Sequence, residues 1–568
     1  MRASTPPGDF TVHAVSGTHA VLLGFDVAPT ALPELLGFAV ERTLLPDGEP
    51  EFLPNFLRFA VNDRPDGPWS TRDNPLQAFQ WGDYDVEPGQ VLRYRVGMAT
   101  GAPGAVALRD PVAELEIATE PDDDGRHGVW FNRGIAGSQA YARQFGLGSP
   151  VGVPAAQTWL SRGLQEALLA FIARASGPGF GLRGAFYEFS HRPVLDALRA
   201  VKVGGADVRL VVADPADSRK WPISPAWDNA EAIRNTESLA TRHPFSEIVT
   251  ARHATSGIPH NKFLVLLEGD DPVAVWTGST NITDGALWGH SNLGHVVTGG
   301  DVAQAYLAFW QQLAGDADRD ASRMWVDAHS PVPAVAAVPP YLPPGVTPVF
   351  SPHTQGTPLA RYVELMKNAR QSMFLTAPFG IGKELADELE EDRGVARYLL
   401  LDKPGDDLAL RDTDKALTIS VGAFIAREGG YKQFMEEHLT GLNPRVQFIH
   451  TKYLLVDPLT DHPVVITGSA NFSAASTTEN DENMLWIAGD QRVADIYLTE
   501  FMRLFTHFRF RDAVGARRGD QFAPDPHANS DGDLREVRHL DETAAWSAPY
   551  FVAGSTKARE RLLFSGKL

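Results

Sequence analysis

His450-Thr451-Lys452-Tyr453-Leu454-Leu455-Val456-Asp457, followed by Gly468-Ser469-Ala470-Asn471, is the stretch on which fold and chemistry both turn. It has a twin earlier in the chain. His260-Asn261-Lys262-Phe263-Leu264-Val265-Leu266-Leu267 is followed by Gly278-Ser279-Thr280-Asn281. In each copy the serine lies 19 positions beyond the histidine, and the asparagine lies 21 beyond it. Four residue types at identical offsets mark an internal duplication. A helical pattern follows each copy, over Asp301 to Ala314 and over Gln491 to Phe505, with aromatic and aliphatic residues at helical spacing.

Working outward, apolar strand-like runs alternate with helical ones from about residue 125 onward. Ala155 to Ser176 reads as one helix, Gly184 to Phe189 and Val208 to Ala213 as strands. The Gly-rich stretch from Gly177 to Gly184 reads as a connector. After residue 348 the alternation resumes, with helices over Leu359 to Ala369 and Lys383 to Glu391 and strands over Met373 to Ala377 and Arg397 to Leu401. Seven prolines fall among residues 331–348, which sustains neither helix nor sheet and reads as a linker. Residues 8 to about 120 differ: short aromatic and alternating runs (Phe10 to Val15, Ala20 to Val27, Gly37 to Thr43, Phe56 to Val61, Val91 to Met98, Ala113 to Ala118) are separated by Pro, Gly and Asp. That spacing predicts a small β-sandwich, loosely similar to a fibronectin type III module at Leu92-Arg93-Tyr94-Arg95-Val96. The expected organisation is therefore a β-sandwich over 1–122, an α/β half over 123–330, the linker over 331–348, and a second α/β half with a C-terminal tail over 349–568.

Composition narrows the class. The chain has 568 residues, 43% hydrophobic and 21% charged, which are globular values. Its net charge of −20 argues against a protein that coats nucleic acid with general positive charge. With no cysteine, thiolate nucleophiles, disulfides and cysteine metal sites are excluded. No apolar run approaches a membrane span, and the first residues carry no signal-peptide core, so a cytoplasmic location is expected. His290 and His295 stand at no metal-ligand spacing, and no metal is expected. Ala377 to Lys383 ends in Gly-Lys but lacks the first glycine and the Ser or Thr of a nucleotide-binding loop. Arg518-Gly519-Asp520 is a coincidence in a polar tail. Trp276, Trp288, Trp486 and Phe472, close to the motifs, are expected in the core.

In each copy His and Lys are two apart at the head of a strand, so they project from one face. A cation beside an imidazole suits a site that holds an anion. Ser and Asn after a glycine add donors for oxygen. Two copies converging would supply two His, two Lys, two Ser and two Asn around one tetrahedral oxyanion, and phosphate fits. One imidazole can attack phosphorus while the other protonates the leaving oxygen.

These residues resemble the phospholipase D superfamily, whose signature is His-x-Lys-x4-Asp followed by Gly-Ser-x-Asn, twice per active site. His450, Lys452, Asp457, Gly468, Ser469 and Asn471 match it in full, and Phe472-Ser473 and Asn480-Asp481-Glu482-Asn483 extend the likeness toward the small bacterial nucleases of the superfamily. The resemblance covers roughly 125 to 510. It implies two α/β halves packed as a pseudo-dimer with the site between them, and a metal-independent, cofactor-free reaction through a covalent phosphohistidine. Because both halves lie in one chain, a dimer is not required. It implies catalytic roles for His260, Lys262, His450, Lys452 and Glu482, phosphate contacts for Ser279, Asn281, Ser469 and Asn471, and structural roles for Asp457, Gly278, Gly468 and Asn292.

The first copy departs from the signature, with Leu267 where the Asp is expected and Asn292 where the second copy has Glu482. Tyrosyl-DNA phosphodiesterases also lack that Asp, so its loss does not imply an inactive protein. In the superfamily the Glu orients a catalytic histidine. If it sat beside His450, it would raise that group's pKa and make His450 the general acid, leaving His260 as a neutral nucleophile. The expected function is thus a phosphoric diester hydrolase, with nucleic acid favoured as substrate. A phospholipid hydrolase or transphosphatidylase is the alternative. A catalytically weak phosphate-binding scaffold is the third reading.

Overall fold

The computed structural model describes residues 1–62, 69–146, 148–213, 225–237, 245–253, 257–403, 417–422, 448–516 and 539–568. Arg518-Gly519-Asp520 and most of the polar tail around it lie outside the described residues.

Two seven-stranded mixed sheets form the body, and they share one topology. In the first the order is His127–Phe131, Leu293–Thr298, Asp271–Gly278, Lys262–Glu268, Phe180–Phe186, Asp207–Ala213, Val249–Arg252. In the second it is Gly345–Ser351, Glu482–Ala488, Val464–Gly468, Tyr453–Val456, Ser372–Ala377, Ala396–Leu401, Leu417–Val421. The duplication read from four residue types therefore extends to every strand position. Each motif strand is a continuous apolar run because it is central in its sheet and buried on both faces.

Helices cover these sheets where apolar residues recur at three and four. The helix Gln491–Ala516 buries Val493, Ile496, Tyr497, Phe501, Leu504 and Phe505. It lies where the two halves meet, with Tyr497 against Phe131 of the first half and Phe501 against Phe374 of the second. Its counterpart Gly300–Ala314 brings Phe309 onto Phe350 of the second half at 4.3 Å between ring centroids. Between the halves, buried Glu500 receives Arg162 and Arg503, both at 2.7 Å.

Three local expectations are corrected. Ala155 to Ser176 is not one helix but two, Pro154–Ser161 and Leu164–Ala173. The break falls at Arg162 and Gly163, both with positive φ (48° and 86°), and it turns the Arg162 side chain toward Glu500. The Gly177 to Gly184 stretch is a connector only as far as Gly179, since the central strand Phe180–Phe186 starts within it. Phe56 to Val61 forms no strand; a 3₁₀ turn occupies Ala60–Asn62.

The N-terminal region is all-β, two four-stranded antiparallel sheets closed on a core of Phe10, Phe25, Phe38 and Phe79. Trp546, Tyr550 and Phe551 near the C-terminus pack on Phe79, so the end of the chain is built into this N-terminal core. Arg2 reaches Asp495 at 2.8 Å and Arg492 reaches Glu120 at 3.2 Å, tying the β-region to the long helix. The proline-rich stretch crosses the second half, where the Tyr341 hydroxyl donates to Asp457 at 2.6 Å. From Gly345 it already pairs as the edge strand. Among the described residues no helix is long and apolar enough to cross a membrane.

Candidate active site

Each motif histidine, two or three residues ahead of its strand, is strapped to the opposite half. The His260 N–H donates to the Asp481 carbonyl at 2.9 Å, and the His450 N–H donates to the Ser291 carbonyl at 3.0 Å. These paired bridges put each histidine beside the residue that opens or precedes the opposite half's strand: Glu482 for His260, Asn292 for His450.

The side chains follow this crossed pattern. His260 Nδ1 is 2.8 Å from Glu482 Oε2, and His450 Nδ1 is 2.9 Å from Asn292 Oδ1. Glu482 is therefore the partner of His260, not of His450, which corrects the conditional assignment drawn from sequence. Position +32 within a half lies at the start of the strand two places along the sheet from its own His-x-Lys strand, but its side chain faces the histidine across the pseudo-twofold. No linear spacing reveals that.

Behind each pair stands the motif serine. Ser469 Oγ donates to Glu482 Oε2 at 2.7 Å and accepts from the Asn483 N–H at 3.0 Å. Ser279 Oγ donates to Asn292 Oδ1 at 2.9 Å and accepts from the Leu293 N–H at 3.2 Å. Both serines are wholly buried, and their hydroxyl protons are committed to the partners of the two histidines. Asn480 Nδ2 donates to the second Glu482 oxygen at 3.1 Å. Asp481 next to it is held by Arg319 at 2.7 Å and Arg252 at 3.0 Å, both from the first half. Gly278 and Gly468 are required by close approach. A Cβ there would stand 2.4 Å from the Leu293 carbonyl oxygen and 2.2 Å from that of Asn483.

Each lysine donates to the carbonyl of its own motif histidine, Lys262 to His260 at 2.7 Å and Lys452 to His450 at 2.8 Å. Burial lowers Lys262 to about 8 against the pull of Glu482 and Glu188. Burial and the charge of Lys262 push Lys452 well below its ordinary value. His260 is lowered to about 4 by burial, which outweighs Glu482. His450 is driven well below its usual range by burial, then by Lys452, His290, Lys262 and His260. Lys262 of the first half acts on His450 and Lys452, and Lys452 of the second acts on His260, so the two motif sets lie within electrostatic reach of each other. Glu482 itself is lowered: burial opposes its charge, and His260, Lys262 and Ser469 outweigh burial.

Asp457 sits at the far end of its strand. Its carboxylate accepts from the backbone N–H groups of Arg370, Gln371 and Ser372 at 2.8, 2.8 and 3.0 Å, and from Tyr341. It fastens a strand entry and touches no motif histidine, which explains how Leu267 can replace it in the first half. Asn281 donates to the Glu188 carboxylate, while the Oδ1 atoms of Asn281 and Asn471 are buried without a hydrogen-bond partner in the described structure.

Four residues at the site were not singled out for it from sequence. Glu188 and Tyr187 follow the strand Phe180–Phe186, and Tyr187 packs against His260 at 5.0 Å. Phe379, past the matching strand, lies 6.1 Å from His450, and His290 lies 5.0 Å from it. The available signal was positional: both strand ends point to the same edge as the motif. Trp276, Trp288, Trp486 and Phe472 are core residues, as expected. Among the described residues no group of three or more His, Asp or Glu is arranged to hold a metal.

None of the curated proteins matches the chain in sequence. Among solved structures it is similar to a phosphatidylserine synthase of Haemophilus influenzae Rd KW20 (13% identity, 62% of this chain and 88% of that one, TM-score 0.43). It is also similar to Nuc of Salmonella typhimurium, a phospholipase D family member (20% identity, 29% and 96%, TM-score 0.22), and to NucT of Helicobacter pylori (13% identity, 29% and 96%, TM-score 0.22). The sequence model described as "Cardiolipin synthase, PLD-like domain" matches twice, over residues 168–313 and 362–505, about half of the chain and both motif copies. The protein belongs to the phospholipase D-like family, with two copies of its domain in one chain.

Proposed function

We propose that the protein is a phosphoric diester hydrolase that works through a phosphohistidine on His260. The observation that carries this reading is the crossed pair of His contacts, a carboxylate on one and an amide on the other. Glu482 takes the Nδ1 proton of His260 as a hydrogen bond and leaves the Nε2 lone pair free to attack. Burial keeps that imidazole neutral, with its pKa lowered to about 4. As the P–N bond forms the ring gains positive charge, and the adjacent Glu482 carboxylate stabilises it.

His450 has no carboxylate, so without an anion it is neutral. A bound phosphate offsets Lys452, Lys262 and His290 and raises its proton affinity. Protonated, it gives its Nε2 proton to the leaving oxygen as the P–O bond breaks. In the second step the neutral His450 takes a proton from water, the water oxygen bonds to phosphorus, and the P–N bond to His260 breaks. Lys262, Lys452, Asn281 and Asn471 are the donors for the non-bridging oxygens. Ser279 and Ser469 are assigned to positioning Asn292 and Glu482.

Nucleic acid is the substrate suggested by the Asn480–Asn483 extension, and phospholipid is the one suggested by the description of the matching family model. The test is turnover of bis(p-nitrophenyl) phosphate by the wild type, His260→Ala and His450→Ala, with and without chelator. Activity lost in both variants and indifferent to chelator is expected; equal background in all three would leave a scaffold. Single-stranded DNA, plasmid, RNA and phosphatidylcholine vesicles in parallel then choose the substrate.

A further inference from the structure

The surroundings of the two motif histidines differ in polarity. Strand register aligns them: Ala185 stands opposite Phe263 and Thr376 opposite Tyr453, so Glu188 in the first half corresponds to Phe379 in the second. On the His260 side one ring, Tyr187, packs on the imidazole (64°, 5.0 Å) with Lys262 Nζ 5.4 Å from its centre, but beside it stands a carboxylate, Glu188, which accepts from Asn281 and has Lys262 within its field. On the His450 side two rings flank the imidazole, and a ring takes the place of the Glu188 carboxylate. Phe379 stands perpendicular to the His450 imidazole (89°, 6.1 Å) and His290 nearly so (68°, 5.0 Å), and Lys452 Nζ lies 5.8 Å from the centre of the Phe379 ring. Phe379 is 58% exposed. A lone exposed phenylalanine needs no explanation, but one against the acid–base group of a reaction does.

In-line displacement gives this side a role. If His260 enters phosphorus from one direction, the alcohol that leaves, or later enters, lies opposite, beside His450. We propose that Phe379 and His290 form the subsite for that exchanging alcohol, and that it prefers an alcohol bearing a planar apolar group to a small alkanol. The inference rests on the roles given above to His260 and His450. In the exchange the alcohol oxygen bonds to phosphorus, the P–N bond to His260 breaks, and the alcohol proton passes to His450 Nε2.

The test is partitioning of the phosphoenzyme formed from bis(p-nitrophenyl) phosphate between benzyl alcohol and ethanol at equal concentration, with the two mixed diesters measured by chromatography. The wild type is expected to favour benzyl alcohol about tenfold, the size of an aromatic contact. Phe379→Ala is expected to bring the ratio close to one and to raise KM for the aryl diester. Phe379→Tyr is expected to keep the preference. A burst of p-nitrophenol without preference for benzyl alcohol, with only water as acceptor, or with a preference that survives Phe379→Ala would overturn the subsite. Absence of any burst from the wild type would overturn the phosphohistidine reading and the subsite with it.

Discussion

Glu482→Gln isolates the charge on which the assignment of the nucleophile depends. The substitution keeps the shape of the side chain and an oxygen able to accept from His260 Nδ1, now 2.8 Å away. What it removes is a full negative charge beside a ring that becomes cationic on phosphorylation. With about 4 Å between the charges and an effective dielectric near 20, the attraction is about 4 kcal/mol. Lost in the transition state, that corresponds to roughly a thousandfold in rate. Incomplete charge development and relaxation reduce it, so a fall of about a hundred- to a thousandfold in kcat is expected, with KM changed by less than about threefold. Stopped-flow release of p-nitrophenolate under single-turnover conditions measures the step directly, and circular dichroism confirms that the variant is folded. A folded Glu482→Gln enzyme with a burst within about threefold of wild type would refute the reasoning.

Other consequences concern charge and stability. Lys262 is charged only below about 8, so inhibition by tungstate should weaken as pH rises through that value, by up to about tenfold per unit; inhibition constants flat from neutral to alkaline pH would argue against lysine contact with the anion. Asp457→Ala removes the acceptor of three backbone N–H groups and of Tyr341. A loss of about 3 kcal/mol or more in denaturant unfolding is expected, with burst amplitude kept by the folded fraction. Loss of the burst from folded protein would instead place Asp457 in the chemistry. Glu500→Gln leaves Arg162 and Arg503 buried without their carboxylate. A loss of about 3–5 kcal/mol is expected in the same assay, and an unchanged unfolding midpoint would contradict it.

Much of the body was legible because the duplication is written in side chains that point inward on strands. The motif strands and the helices after them are long apolar runs, and their period survives any tertiary context. What failed depended on the third dimension. The break at Arg162 and Gly163 interrupts a sequence of good helical period, because the buried Glu500, over 300 residues away, captures the arginine. The partner of Glu482 is set by the strap between Pro259 and Asp481, a bridge between halves. Ser279 and Ser469 read from sequence as phosphate contacts, yet their hydroxyls turn to Asn292 and Glu482. The packing of Trp546, Tyr550 and Phe551 into the N-terminal β-core likewise has no local signal.

The most direct test of the account is the site of covalent modification. Wild-type enzyme mixed with bis(p-nitrophenyl) phosphate, quenched in alkali to preserve the acid-labile P–N bond, digested and sequenced by mass spectrometry should carry the p-nitrophenyl phosphoryl group on His260. His450→Ala should accumulate that adduct. The group found on His450, or turnover persisting in His260→Ala, would contradict the account.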